Sequence, residues 1–198
     1  MSDFFTAVEK RRSIYAIGKS SPISDERIKE IVSFAVKHGP SAYNAQGGRV
    51  ILLLAKHHER FWNLVEEALR KIVPPERFAP TEEKMASFRN GHGTVLFFED
   101  DRPVRDLQER FPTYAAQFPV WAQHASAIAQ FIVWTGLESE GLGASLQHYG
   151  PVVEQAARRE WNIPEEWQFV AQIPFGAPLA DPGEKEFLPL SDRVRIFE

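Results

Sequence analysis

Cysteine is absent from all 198 residues, which removes disulfides, thiolate metal sites and cysteine nucleophiles together. That absence suits a reducing compartment, and a cytoplasmic location is the expectation. No apolar run approaches the ~20 residues that cross a bilayer. The chain opens Met1-Ser2-Asp3-Phe4-Phe5 with no basic stretch leading into an apolar one, so neither a membrane anchor nor a signal peptide is expected. Charge of one sign is not in excess either. A net charge of -4 offers no electrostatic reason for a nucleic-acid or membrane partner. Several familiar signatures are missing as well. Gly141-Leu142-Gly143 lacks the third glycine of a dinucleotide fingerprint, no Walker A sequence occurs, and Ser145 lacks the second flanking glycine of a nucleophile elbow.

What remains is an ordinary globular composition, long enough for one core and short for two, so a single domain over residues 1–198 is expected. Asp3 caps a helix running to Arg12 with Phe4, Phe5 and Val8 on its apolar side. Ser24 starts the next, with Ile28, Ile31, Val32, Ala35 and Val36 at helical spacing and Gly39-Pro40 as its stop. Val50–Ala55 is an uninterrupted apolar run of strand length, followed by a helix over His58–Val73. Further helices are predicted over Thr81–Arg89, Arg102–Phe111, Pro119–Glu140 and Pro151–Trp161, and strands over Thr94–Phe98, Gln168–Ile173 and Val194–Phe197. The Pro119–Glu140 segment is apolar nearly all round, which suits a central helix or one at a subunit interface. Without regular βαβ alternation or internal repeats, the fold class is α+β.

Two short stretches carry most of the chemical information. Arg11-Arg12-Ser13 sets two guanidiniums beside a hydroxyl, and an arginine fork matches the geometry of a phosphate. Taken alone, paired arginines at a helix end more often complement its dipole in water. Pro40-Ser41-Ala42-Tyr43-Asn44-Ala45-Gln46 supplies hydroxyl and amide groups where a helix stops and backbone groups need partners. Together they suggest a ligand with a phosphate tail and a polar ring. His57-His58-Glu59 is weaker: adjacent residues diverge on a helix, so a solvated helix start is expected there and not a metal site.

Arg-Arg-Ser, then Pro-Ser-x-x-Asn-x-Gln some thirty residues later, then a buried strand, resembles the nitroreductase family of FMN-dependent oxidoreductases. Gly141-Leu142-Gly143-Ala144-Ser145-Leu146-Gln147-His148-Tyr149 resembles that family's turn against the isoalloxazine. Phe175-Gly176-x-Pro178, with Lys185 and Arg193 beyond, resembles its C-terminal phosphate segment. The Gly-Leu-Gly-Ala-Ser-Leu-Gln-His-Tyr and Lys-Glu-Phe-x-Pro-Leu-x-x-Arg-Val sequences are most similar to the short branch with the fatty-acid-repression-type proteins of yeast. The chain departs from the family at Gly47-Gly48-Arg49, where many members have Pro-Trp, and at Ala42, which replaces a common serine.

The resemblance implies a mixed central sheet surrounded by helices, a homodimer, and FMN as cofactor. It assigns Arg11 and Ser13 to the phosphate and Arg12 to the ribityl or ring side. Pro40, Ser41 and Asn44 would belong to a loop reaching the partner's flavin, with Gln46 nearby. Backbone N–H groups of Gly141, Leu142, Gly143, Ala144 and Ser145 would face flavin N5 and O4, and Lys185 and Arg193 would complete the phosphate site. The implied activity is NAD(P)H-dependent reduction of nitro compounds, quinones or similar small aromatic acceptors by ping-pong hydride transfer, with no side-chain nucleophile. Phe88, Phe111, Tyr114, Phe118 and Trp121 are candidates to flank the acceptor. A flavin-binding regulator with little turnover is the alternative; a cofactor-free interaction domain is a more distant one.

Overall fold

The computed structural model describes residues 3–198. In chain order the elements are α1 (Phe4–Lys10), β1 (Ile17–Gly18), α2 (Asp25–His38), β2 (Gly48–Leu54), α3 (Lys56–Leu69), α4 (Ala79–Arg89), β3 (Gly93–Asp100), α5 (Asp101–Arg110), α6 (Phe118–Ser139), β4 (Gly143–Ala144), α7 (Gly150–Trp161) and β5 (Trp167–Pro178). Beyond β5 the described chain continues as an exposed tail with one 3-10 turn at Leu190–Asp192. The cap residues behave as the sequence predicts. Asp3 accepts from the Thr6 N–H at 3.0 Å and Ser24 from the Arg27 N–H at 3.2 Å.

Strand β3 is buried along its whole length. Because side chains alternate across a strand, Val95 and Phe97 enter one core and Leu96 and Phe98 the other. The first core packs β3 and β5 against Ile28, Ile31, Val32 and Ala35 of α2 and Val133 and Leu137 of α6. The second is closed by Phe61, Trp62 and Val65 of α3, Met85 and Phe88 of α4, and Val153 and Ala157 of α7. The result is a sheet with helices on both faces, in the order β1-β5-β3-β2 with β4 also on β5.

Every strand ladder is antiparallel; the sole parallel pairing among the described residues is an isolated bridge between Ser13 and Ala144. The mixed character expected of the sheet is confined to that bridge. A bulge at Phe97/Phe98 leaves Val170 without a partner in the β3–β5 ladder. On the β3 side, alternation continues through it, so Glu99 follows Phe97 toward α6.

Three expectations are corrected. Val194–Phe197 forms no strand, and Phe197 is 90% exposed. The Phe4/Phe5 side of α1 is turned outward, because a two-turn helix has no buried residue with which to dock. His58 is not a solvated cap residue but lies in the second core, 1% exposed. Its Nδ1 is 2.8 Å from Thr94 Oγ1, which also accepts the Trp62 indole N–H, and burial lowers its pKa to about 4.

The far end of β5 is the most crowded point. Gly176 pairs with Gly143 of β4 while β1 pairs with Ala177 and Pro178. A Cβ on Gly176 would lie 2.1 Å from the Gly18 carbonyl oxygen and 2.9 Å from the His92 nitrogen, both backbone atoms. Gly176→Ala is therefore expected to cost about 2–3 kcal/mol through forced backbone displacement. A chemical-denaturation midpoint within error of wild type would contradict this account of the junction.

Candidate functional site

The Arg11–Ser13 segment and the Gly141–Ser145 turn, far apart in sequence, meet beside the C-terminal end of α6. Ser13 bridges Ala144, and the Ile14 N–H donates to the Ala144 carbonyl at 2.9 Å. The Arg11 guanidinium lies over the Trp134 ring, 4.3 Å from its centroid. Arg12 donates its backbone N–H to Glu138 Oε2 at 2.7 Å and its Nη2 to the Gly183 carbonyl at 2.6 Å. Among the described residues neither arginine has a carboxylate within ion-pair distance in the way that Arg49 or Arg102 has. Two guanidiniums without a direct ion-pair partner and the exposed Ser13 therefore form a cationic end.

The turn itself is organised differently from the family-based expectation. Gly141, at φ 88°, takes the left-handed conformation that ends α6. Gly143 is small for an internal reason: an added Cβ would meet Ile14 at 2.9 Å and Pro178 at 3.2 Å. The N–H groups of Gly141, Leu142 and Ser145 already donate to the carbonyls of Glu138, Leu137 and Pro174. Ser145 is fully buried, its Oγ accepting from Gln147 Nε2 at 3.1 Å. Among the described residues, the N–H groups of Leu146 and His148 donate to no protein acceptor. Lys185 and Arg193 lie on the exposed tail, which reaches the site at Gly183; neither is joined to Arg11 or Ser13 by a hydrogen bond. Of the proposed acceptor aromatics, Phe88 and Phe118 are buried and held in packing.

The second motif forms a separate centre at the other end of α6. Ser41 Oγ accepts the Gln46 N–H at 3.0 Å, and Tyr43, Asn44 and Gln46 all have positive φ. Three non-glycine residues in that region are costly, and such strain persists where the surroundings impose it. Tyr43 packs against Phe111 at 4.8 Å and Phe118 at 5.6 Å. Arg49 secures the loop from below, donating to the carbonyls of Gln46 and Gly48 and to Asp100. On one side of the loop is a cavity of about 200 Å³ reached by Pro40, Ser41, Gln46, Arg49, Glu99 and Ser126. On its other side Tyr43, Trp121, His124 and Ile128 line an open, mainly apolar hollow. From Ala125 to Trp134 or Glu138 along α6 is roughly 14–20 Å at 1.5 Å per residue. One chain thus does not bring its two motifs together.

Four features escaped the sequence reading: Tyr43, Arg49, Glu99 and the Trp134–Glu138 pair. Glu138 did carry a signal, being the only Asp, Glu, Lys or Arg in α6. Neighbouring acids have opposite fates. Asp100 is held down to about 2 chiefly by hydrogen bonds from Arg102, with Arg49 adding to them. Glu99 is pushed up to about 7 by burial, because Arg49 is committed to Asp100 and Glu99 Oε1 has no partner.

A raised carboxylate of this kind lowers stability as pH rises. Between about 4.5 and 7 the folded chain keeps a proton that the unfolded chain has lost, so each step upward favours unfolding. Glu99→Gln should therefore gain stability relative to wild type as pH rises from 5 to 8, by no more than about 2 kcal/mol after solvent relaxation. A variant-minus-wild-type unfolding free energy that stays flat or falls from pH 5 to 8 would count against the assignment.

Residues 8–177 match the nitroreductase family. Nitroreductase FRM2 of Saccharomyces cerevisiae is 34% identical over 189 residues, covering 94% of this chain and 93% of its own. Nitroreductase CinD of Lactococcus lactis, solved in complex with chloramphenicol, superposes with a TM-score of 0.91 at 38% identity, covering 99% of this chain and 100% of CinD. A Desulfovibrio desulfuricans protein solved in complex with FMN shares the fold, with a TM-score of 0.70 at 20% identity over 100% of this chain and 98% of its own. With its cationic end, its strained loop and these likenesses over nearly the whole length, the chain belongs to the nitroreductase family.

Proposed function

We propose that the chain, working as one domain, is an FMN-dependent NAD(P)H oxidoreductase that reduces nitro compounds, quinones or similar small aromatic acceptors. The observation that carries this reading is the meeting of Arg11, Arg12 and Ser13 with the turn after α6, the two guanidiniums being outside ion-pair distance of any carboxylate among the described residues. These groups fit a phosphate-bearing flavin: the Arg11 guanidinium and the Ser13 hydroxyl for the phosphate, Arg12 for its ribityl or ring side, and the N–H groups of Leu146 and His148 for hydrogen-bond acceptors on the ring. Lys185 and Arg193 would join the phosphate site by movement of the exposed tail. When bound, the flavin supplies hydride acceptance from reduced nicotinamide and hydride delivery to the acceptor at N5, in ping-pong order. The protein's part is to bind, orient and exclude water. CinD has been solved with chloramphenicol and with 4-nitrophenol, which supports small nitroaromatic acceptors here. A cytoplasmic supply of NADH or NADPH completes the reading.

The separation of the two motifs along α6 supports a two-fold homodimer in which each flavin meets Ser41 of the partner subunit. Phe34, Tyr43, Val120 and Ile128 are exposed large apolar or aromatic residues on α2, the loop and α6, and the tail adds Leu190, Ile196 and Phe197. Covering such a surface suits an obligate interface of well over ~2,000 Å².

Two measurements test this function. Arg11→Ala or Arg193→Ala should weaken FMN binding by about one to two decades, the loss of one charge-assisted contact, in fluorescence titration of apo-protein. Unchanged affinity in both would remove the phosphate assignment. Sedimentation at micromolar concentration should give a yellow dimer that turns over with NADH or NADPH; a monomer retaining stoichiometric FMN would refute the shared site.

A further inference from the structure

Glu138 stands alone as a charge on α6 and lies half-buried beside the Arg11–Ser13 segment. Its two oxygens serve two different elements. Oε2 accepts the Arg12 backbone N–H at 2.7 Å, and Oε1 accepts the Trp134 indole N–H at 3.0 Å. Trp134, one helical turn earlier, carries the Arg11 guanidinium on its ring at 4.3 Å. One side chain therefore fixes the main chain of one arginine directly and the guanidinium of the other through an indole.

A carboxylate is a costly choice for this place. It is partly desolvated and stands close to a site read as binding an anion, where its charge repels the ligand. What it offers in return is geometric. Two donors converge from different directions, and a carboxylate presents an acceptor to each. A glutamine in the same position has one acceptor, and its NH₂ would face an N–H.

We propose that Glu138 is the positioning residue of the anion site, holding the Arg12 main chain and the Trp134–Arg11 stack so that the Arg11 guanidinium faces the cofactor phosphate and Arg12 its ribityl or ring side. This rests on the FMN reading above. Burial pushes the Glu138 carboxyl up to about 7, against the pull of the Arg12 N–H, the Trp134 indole, the Arg11 charge and, least, the Ala144 N–H. The other charges near it are few. Arg27 of α2 bridges Glu140 and Glu30, Leu142–Ser145 brings no titratable group, and the tail contributes Glu184 and Lys185 next to Gly183. Near neutrality, the carboxyl that accepts both donors thus gains or loses a proton.

The test uses full-length apo-protein and FMN. Trp134 emission, taken as wild type minus Trp134→Phe, should titrate with a midpoint near 7 and lose that step in Glu138→Gln. Glu138→Gln should weaken FMN binding about tenfold, as expected for losing one hydrogen bond to a charged acceptor. In the Arg11→Ala/Arg12→Ala background the same change should cost less than about twofold, because residues acting through one network are not additive. A tenfold loss that persists in that background marks a merely structural role and overturns the proposal. So does wild-type affinity in Glu138→Gln, or an emission step unaffected by that substitution. Wild-type apo-protein that takes up no FMN would overturn the cofactor reading itself, a result separable from the others.

Discussion

Main-chain pairing at the last third of β5 is the constraint on which the cationic site depends. Gly143 and Ala144 pair with Gly176 and Phe175, and β1 pairs with Ala177 and Pro178 just beyond. Ser13 and Ile14, held to Ala144, are thereby brought to the end of α6. Buried backbone groups leave little freedom here, since each unpaired N–H or carbonyl would cost about 1–3 kcal/mol. Gly143 and Gly176 are dictated by the same crowding, and at Gly143 the space is taken by Ile14 and Pro178 of the same chain.

Burial and pairing then sort the acids near the two centres. Asp100 is completely buried, yet Arg102 and Arg49 keep it ionised. Glu99, its immediate neighbour, points to the opposite side of β3 and loses the competition for Arg49. Glu138 lies between these cases, with neutral donors on both oxygens and a guanidinium at a distance. Charge partners outweigh desolvation at Asp100, whereas at Glu99 and Glu138 desolvation wins. Both raised carboxyls lie at the two centres that carry the nitroreductase motifs, where perturbed groups concentrate.

Much of the architecture was legible because it rests on local patterns. Ile28, Ile31, Val32 and Ala35 follow helical spacing and form the buried face of α2. The runs in β2 and β3 are apolar on both faces because helices cover both. Strands β1 and β4 were not legible: two residues have no periodicity, and they exist only because β5 runs beside them. Val194–Phe197 shows the converse, a strand-like pattern with no neighbouring strand to pair with in one chain.

By itself the sequence determined the helices, the two central strands, the α+β class and the two motifs that mark the family, all of which depend on residue type and short-range spacing. Tertiary structure alone decided which polar groups are free. Arg12 and Glu138 are 126 residues apart. Whether Leu146 or Ser145 keeps an available N–H depends on the carbonyl of Pro174 in another strand. Which of Glu99 and Asp100 receives Arg49 depends on the pleat of β3 and on where Arg49 lies in β2. Hydrogen bonding and burial are properties of neighbours in space, and those neighbours are set only when the sheet closes.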